Sequence, residues 1–286
     1  ITPEVVNDLQ MRPEQYPHSF LTFDTTVVHL YGLRFRLKAP QHSIRRLEFD
    51  AWLLERSGAS VTTHNVREIH RINGDYVIDG EYRAKYLVGA GGTRCPVFRE
   101  LFRSENPRAK SLQAVALECE FPFDWHDGDC HLWFFQNHLP GYTWYVPKDN
   151  GHLNMGIGGI AEQLKSRNDD IKSHWDPFVA RLKRAGLISE EPPSPGGYSY
   201  YLRDRVDTPR VDNAFVVGDA AGLATRDLCE GIGPAIRSGF AAADSIASGA
   251  DYDLTPIKKH SLDGSWIGRL LERRFCGGQA GRADSA

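Results

Sequence analysis

Residues 215–246 read FVVGDAAGLATRDLCEGIGPAIRSGFAAADSI. An apolar run, Phe215–Val217, ends at Gly218-Asp219, and this predicts a strand whose last residues lie at the carboxyl edge of a sheet. A carboxylate at such an edge can accept hydrogen bonds from the hydroxyls of a sugar or a ribityl chain. The small residues that follow allow a flat or phosphorylated ligand to approach the backbone. We therefore predict a ligand site at Asp219.

The second half of the same stretch predicts an anion-binding helix end. Gly231-Ile232-Gly233 leads into an Ala-, Ser- and Gly-rich helix with Pro234 at its first position, where the missing N–H costs nothing. The amide groups at a helix start carry partial positive charge and stabilise an anion. A strand–turn–helix unit packed on small residues explains the same letters without a ligand, so this stretch alone leaves both interpretations open.

Composition narrows the class of protein. A chain of 286 residues that is 41% hydrophobic and 25% charged is typical of one large globular domain, or of one domain with a smaller insert. The net charge of −3 argues against a nucleic-acid partner. Five cysteines without a CxxC pair argue against a disulfide framework or a metal cluster and favour a reduced, cytoplasmic setting. No apolar run is long enough to predict a membrane-spanning segment.

Local patterns predict the main elements. A short helix is expected at TPEVVNDL near the start of the chain, and another in SIRRLEFDAWLLERSGA, which Gly58 ends. Alternating strands are expected from Phe20 to Leu37, and short strands with turns at Asn73-Gly74 and Asp79-Gly80. A helical stretch is expected from Ala161 to about Ala185. The fold class is thus α/β with α+β mixing: a three-layer body interrupted by an antiparallel, aromatic sheet.

Two further segments add to the opening stretch. YLVGAGGTRCPV, residues 86–97, is a strand that ends in glycines, and IRRLEFDAWL, residues 44–53, places an arginine at a helix start. In this order the three segments resemble the flavoprotein monooxygenase and reductase superfamily, whose members show an arginine helix, a GADG strand end and a GDA strand end. One departure is that Gly92 stands where the aspartate of GADG would be, or next to it. The resemblance implies FAD as cofactor, bound by Arg46, Gly89, Gly91, Gly92, Gly218, Asp219, Gly231, Ile232 and Gly233.

A fourth segment narrows the resemblance. PGYTWYVPKDNGHLNMGIGG, residues 140–159, is similar to the YxWxFP…NxGxG segment of geranylgeranyl reductases, with matches at Tyr142, Trp144 and Pro147. Flavin-dependent halogenases carry WxWxIP, and Tyr142 favours the reductases. The resemblance implies an FAD-dependent oxidoreductase that reduces carbon–carbon double bonds of an apolar, prenyl or lipid-like substrate. Tyr142 and Trp144 would bind the substrate beside the flavin ring, and NAD(P)H or a reduced protein carrier would donate electrons.

These expectations divide the chain into five segments. Residues 1–38 are strands that join the substrate sheet, 39–108 the first part of the FAD-binding body, 109–205 the substrate domain, 206–250 the second part of the body, and 251–286 a C-terminal helix and flexible tail. The tail segment WIGRLLERRF is amphipathic, which suits packing against the body and also peripheral contact with a membrane.

Other interpretations stay open. The same body serves flavin-dependent monooxygenases and halogenases, and a non-catalytic fragment could keep the fold without FAD. The superfamily's own GxGxxG unit is expected before Ile1. Gly156–Ala161 matches G-x-G-x-x-[GA], but the helix predicted after it makes this segment the end of the aromatic sheet. Cys229 is either a small buried residue or a redox thiol. No catalytic residue and no metal site is assigned.

Overall fold

The computed structural model describes residues 1–262 and 264–277. Its fold is mixed α/β, as predicted. The described residues form six α-helices: α1 (Pro3–Asp8), α2 (Arg46–Ser57), α3 (Ala161–Ser166), α4 (Trp175–Arg184), α5 (Ile232–Ser248) and α6 (Trp266–Cys276). They also form the strands β1 (Leu21–Leu30), β2 (Leu33–Ser43), β3 (Ile69–Ile72), β4 (Asp75–Ile78), β5 (Tyr82–Ala84), β6 (Leu87–Gly89), β7 (Gln113–Pro122), β8 (Cys130–Phe134), β9 (Gly141–Lys148), β10 (His152–Ile160), β11 (Gly196–Tyr201), β12 (Arg210–Val211) and β13 (Ala214–Val216).

Turn and cap residues form the local structure that their chemistry predicts. Gly58 ends α2 in the left-handed conformation, with φ of 62°, and its N–H donates to the Glu55 carbonyl. Asn73 and Gly74 both have positive φ, which is the requirement of the tight turn between β3 and β4. These short-range predictions are confirmed.

The contacts divide the chain into two compact units. One comprises Ile1–Val61 and Val115–Tyr198, and the other comprises Thr62–Ala114 and Ser199–Ala286. Residues 39–61 therefore group with the aromatic sheet, whereas the sequence prediction placed them in the body. The functional roles given to the five predicted segments stay predictions, and the end of the predicted tail, residues 278–286, lies outside the described residues.

The first unit is built on a seven-stranded sheet in the order β11-β7-β10-β9-β8-β1-β2. The aromatic strands β8, β9 and β10 pair antiparallel, as predicted. The sheet as a whole is mixed, because β1 and β8 pair in parallel, from Thr26↔Cys130 to Leu30↔Phe134. About a hundred residues separate these two strands in the chain, and no hairpin constrains their direction. One face of the sheet packs on α4 through Tyr145, Leu153, Phe178 and Leu182, all of which are buried.

The helical stretch predicted from Ala161 to Ala185 is interrupted. Helix α3 ends at Ser166, and α4 begins at Trp175. Between them Asn168 has φ of 55°, a left-handed conformation that a continuous helix cannot contain. A short 3-10 turn, Ile171–His174, then leads into α4.

The second unit contains two three-stranded sheets, β12-β13-β6 and β3-β4-β5. The sequence analysis predicted Pro234 as the first residue of α5. The helix begins at Ile232, so Pro234 is its third residue. The correction is small, since the N–H groups of the first four residues have no partner within a helix. Helix α6 buries Ile267, Leu271 and Phe275. Its apolar face therefore packs within the protein. Within the described residues, no helix has both the length and the apolar run that a bilayer crossing needs.

Candidate cofactor site

Two strand ends meet at one sheet edge in the second unit. Strands β6 and β13 are parallel, with Gly89 opposite Val216, and the Val217 N–H donates to the Gly89 carbonyl at 3.1 Å. The turns that follow, Gly92–Arg94 and Gly218–Ala220, lie side by side. Parallel strands present their carboxyl ends, and the loops after them, on the same side. The structure therefore brings together the two glycine turns that the sequence singled out.

Asp219 lies against the start of α5. A Cβ atom added to Gly231 would be 3.2 Å from the Asp219 Oδ1 atom, so glycine lets the half-buried carboxylate approach the helix end. The preceding Gly218 has φ of +54°, and its N–H donates to the buried Ser238 hydroxyl at 2.9 Å. Helix α5 thus fixes the backbone just before Asp219 and lies against its side chain.

The anion-binding role predicted for the helix end needs a correction. The carboxylate of Glu230 accepts a hydrogen bond from the Gly233 N–H at 2.7 Å. Glu230 is held in turn by Thr225, whose hydroxyl accepts from the Glu230 N–H at 3.0 Å. A negative charge from the chain itself therefore already occupies one of the amides that the sequence suggested for a ligand. The cofactor role of Gly231, Ile232 and Gly233 stays a prediction.

The glycines after β6 have an explanation in packing. A Cβ atom on Gly89 would be 2.9 Å from the Val97 Cβ, and one on Gly91 would be 3.2 Å from the Cys95 Cα. Gly92 has φ of +66°, which glycine adopts at little cost. The need for glycine at these positions therefore follows from the turn itself, and their contact with a cofactor stays a prediction.

Sequence reasoning missed Arg108. Its guanidinium donates to the Thr93 carbonyl at 2.6 Å and to the Ala220 carbonyl at 2.8 Å, so it ties the two glycine turns together. It also lies 3.8 Å from the centre of the Phe98 ring. No motif pointed to it, because its partners are 15 and 112 residues away in the chain.

Cys229 does not have the environment of a redox thiol. It lies two residues after the buried Asp227, is half-buried, and has a left-handed backbone with φ of 58°. Burial, more than any neighbouring charge, raises the pKa of its thiol far above the usual range. A thiol that stays protonated is a poor nucleophile, which favours the interpretation of a small buried residue.

The aromatic residues predicted to bind substrate lie in the first unit. Tyr142 and Trp144 are on one face of β9 with ring centres 5.7 Å apart, as the alternation predicted. Both are half-buried, while Tyr145, on the opposite face, is fully buried in the core. The Trp144 ring lies on Gly156, where an added Cβ would come within 2.2 Å of the indole Cζ2. The Trp144 indole N–H donates to the Asn154 Oδ1 at 2.7 Å.

That packing also explains the false dinucleotide motif. Gly156 and Gly158 lie on β10, opposite Trp144 and Tyr142 on β9. They belong to the aromatic sheet, as predicted, and Gly156 leaves space for an indole ring.

Arg46, the remaining predicted cofactor residue, is the first residue of α2 in the same unit and pairs with Asp50 at 2.8 Å. Its side chain is largely exposed, and its cofactor role stays a prediction.

The first unit also contains a group of polar side chains that the sequence did not suggest. Asp127, Asp129 and His131 place possible metal-ligand atoms within 4.8 Å of one another. Arg36 pairs with Asp129, and His131 hydrogen-bonds to both His29 at 3.1 Å and Asp127 at 3.2 Å. The chain's own groups therefore satisfy this cluster.

Comparison with known proteins adds the family. No family model matches the sequence. An uncharacterised protein of Methanosarcina barkeri is 30% identical over 244 residues, which are 82% of this chain and 58% of that protein. Digeranylgeranylglycerophospholipid reductase 2 of Methanosphaera stadtmanae is 25% identical over 237 residues, 76% of this chain and 58% of the reductase. The chain thus spans 58% of the length of both curated relatives.

A solved structure agrees with these matches. A geranylgeranyl bacteriochlorophyll reductase-like protein of Thermoplasma acidophilum has a TM-score of 0.70 to this chain at 19% identity, over 96% of this chain and 72% of that one. The chain belongs to the FAD-dependent oxidoreductase and monooxygenase superfamily. The GDA strand end at Asp219 and the glycine turn after β6 are therefore the segments of this superfamily member to test against FAD.

The residues around Asp219 fit part of that cofactor. An added Cβ on Gly222 would meet only an ordinary contact, the Tyr201 Cβ at 3.5 Å, and Gly231 lets the Asp219 carboxylate lie against the helix start. The buried Thr93 hydroxyl, in the neighbouring turn, has no hydrogen-bond partner among the described residues. A polar ligand oxygen would satisfy it. This surface suits a polyhydroxyl chain and its phosphates, whereas Glu230 disfavours an anion at the Gly233 amide.

Proposed function

We propose that this superfamily member is an FAD-dependent reductase acting on carbon–carbon double bonds of an apolar, prenyl or lipid-like substrate. The second unit would hold FAD through Asp219 and the two glycine turns. The first unit would hold the substrate through Tyr142 and Trp144. When bound, FAD supplies two-electron hydride chemistry, with NAD(P)H or a reduced protein carrier as electron source.

The observation that carries the cofactor half is the position of Asp219. It follows one of two parallel strands whose ends meet, and it lies against a glycine at a helix start. A carboxylate there accepts two hydrogen bonds and cannot donate any when ionised. Adjacent ribityl hydroxyls are matched donors for it, and Arg108 holds the two surrounding turns in place.

The substrate half rests on what Tyr142 and Trp144 leave uncovered. The only polar atom of the indole, its N–H, is already satisfied by Asn154. The rest of the ring presents hydrocarbon surface above the bare backbone of Gly156. Phe134 is buried beneath this surface and supports it, with its ring centre 5.2 Å from that of Tyr142. A row of apolar rings of this kind suits a hydrocarbon chain better than a polar substrate.

The test is a single-turnover experiment. The protein loaded with FAD is reduced without oxygen and mixed with a geranylgeranyl lipid in detergent. The proposal expects flavin absorbance to return as the lipid gains two hydrogens, by mass spectrometry. Trp144→Ala is expected to slow that return at unchanged FAD content. Reoxidation only after oxygen is admitted, with an oxygen atom added to the lipid, would establish the monooxygenase alternative. Failure of the protein to bind FAD would overturn the proposal.

A further inference from the structure

The hairpin between β1 and β2 presents apolar side chains to solvent. Tyr31 is 60% exposed and Leu33 is 69% exposed, and they flank Gly32 at the tip. Strand β2 is an outer strand of the seven-stranded sheet, so this tip lies at the sheet's margin. Large apolar side chains that are more than half exposed and adjacent mark a contact surface more often than isolated ones do.

The tip is costly to the fold as it stands. Tyr31 and Gly32 both have positive φ, 49° and 83°, in a two-residue turn that favours Asn-Gly. A bulky aromatic residue is a rare occupant of that conformation. Its ring is stacked on Phe135 with a centre-to-centre distance of 5.8 Å, which holds it on the surface. Local folding alone therefore does not account for tyrosine at this position.

Basic side chains follow the tip directly. Arg34, Arg36 and Lys38 occupy alternate, exposed positions of β2, and the sequence from Leu33 to Lys38 contains no acid. Arg36 pairs with Asp129, while neither Arg34 nor Lys38 forms an ion pair with any residue that the structure describes. The chain as a whole carries a net charge of −3, so this is a local concentration of positive charge against the overall trend.

Exposed apolar side chains beside basic ones indicate which partner would bind the hairpin. Tyrosine and leucine at a tip, with lysine and arginine beside them, match the interface of a bilayer, where rings enter the headgroup layer and cations meet anionic lipids. A second copy of the chain fits poorly, since a symmetric contact through β2 would bring its three cations against the same three cations. We propose that the β1–β2 hairpin, through Tyr31, Leu33, Arg34 and Lys38, docks the protein onto anionic lipid membranes.

The experiment is flotation of the full chain with lipid vesicles, without FAD. Phosphatidylcholine vesicles with and without phosphatidylglycerol are compared, and the proposal expects binding only to the anionic ones. Tyr31→Asn with Leu33→Ser should lower the partition coefficient about tenfold or more, because the apolar anchor is lost. Arg34→Ala with Lys38→Ala should lower it about thirtyfold at low salt, from the attraction of each basic residue to an anionic surface.

Matched controls separate this surface from general stickiness. Leu47→Ser removes a more exposed leucine, at 78%, from α2. Lys165→Ala with Lys172→Ala removes the same charge from exposed positions elsewhere in the first unit. Both controls should bind vesicles as the parent does. Absence of binding by the parent, equal binding to neutral vesicles, or equal loss in the controls would overturn the proposal. So would a hairpin variant that dissociates a dimer in light scattering yet still binds vesicles. None of these outcomes bears on FAD, which is titrated separately.

Discussion

Replacing Gly156 by alanine tests the place that the structure gives to Trp144. The new Cβ would lie 2.2 Å and 2.6 Å from two indole atoms and 2.7 Å from the Leu117 carbonyl oxygen. Ordinary contact needs about 3.5 Å, so the ring would have to shift by roughly 1 Å. Overpacking of this kind costs about 1–3 kcal/mol. Loss of the Trp144–Asn154 hydrogen bond adds about 1 kcal/mol. We expect Gly156→Ala to lower the free energy of unfolding by about 2–4 kcal/mol.

Gly158 is the matched control on the same strand and face. Its added Cβ would have the Trp144 Cζ3 at 3.5 Å as its nearest neighbour, an ordinary contact. Gly158→Ala should therefore change the free energy of unfolding by no more than about 0.5 kcal/mol, or stabilise the strand slightly. Urea unfolding followed by circular dichroism measures both. Equal effects of the two substitutions would refute the described packing of Trp144 on Gly156.

Three further predictions concern other parts of the molecule. Trp144→Ala should lower the free energy of unfolding by less than the roughly 3–5 kcal/mol that a fully buried aromatic residue contributes, because the ring is half-buried. The substitution should leave FAD content intact. A loss of the full amount, about 3–5 kcal/mol, in urea unfolding would place Trp144 in the core. Tyr31→Asn should raise the free energy of unfolding by about 1 kcal/mol, because asparagine tolerates the positive φ; a lower thermal midpoint would contradict this. Burial first, and then the neighbouring His131, lower the pKa of His29 to about 4 from 6.5. The unfolded chain then binds the proton first, and stability should be complete above pH 6.5 and fall as the pH drops towards 4; His29→Gln should flatten that slope in thermal melts.

Elements with local signals could be predicted from the sequence. Gly58 ends α2, and Asn73-Gly74 forms a hairpin, because these outcomes depend on the conformational freedom of one or two residues. The resemblance assigned both glycine turns to one cofactor, and the structure places the two turns side by side. The alternation of Tyr142 and Trp144 on one face of β9 followed from strand geometry.

What could not be predicted depends on partners that are distant in the chain. No local sequence pattern predicts the parallel pairing of β1 with β8. The same is true of Arg108, which donates to the Thr93 and Ala220 carbonyls. The hydrogen bond of Glu230 to the Gly233 amide is local, but the GIG motif suggested the opposite, a free helix end. Asn168 was the available signal for the break between α3 and α4, because asparagine adopts the left-handed conformation more readily than most other residues.

The most direct test of the account is an FAD titration of the parent chain and of Asp219→Ala, followed by calorimetry. Loss of a charged hydrogen-bond acceptor should weaken FAD binding by about 1–3 kcal/mol, a change of roughly fivefold to 150-fold in Kd. Asp244→Ala, which removes an exposed carboxylate from the same α5, is the control and should bind as the parent does. Equal affinity of the Asp219→Ala variant and the parent would contradict the assignment of the GDA strand end to the cofactor.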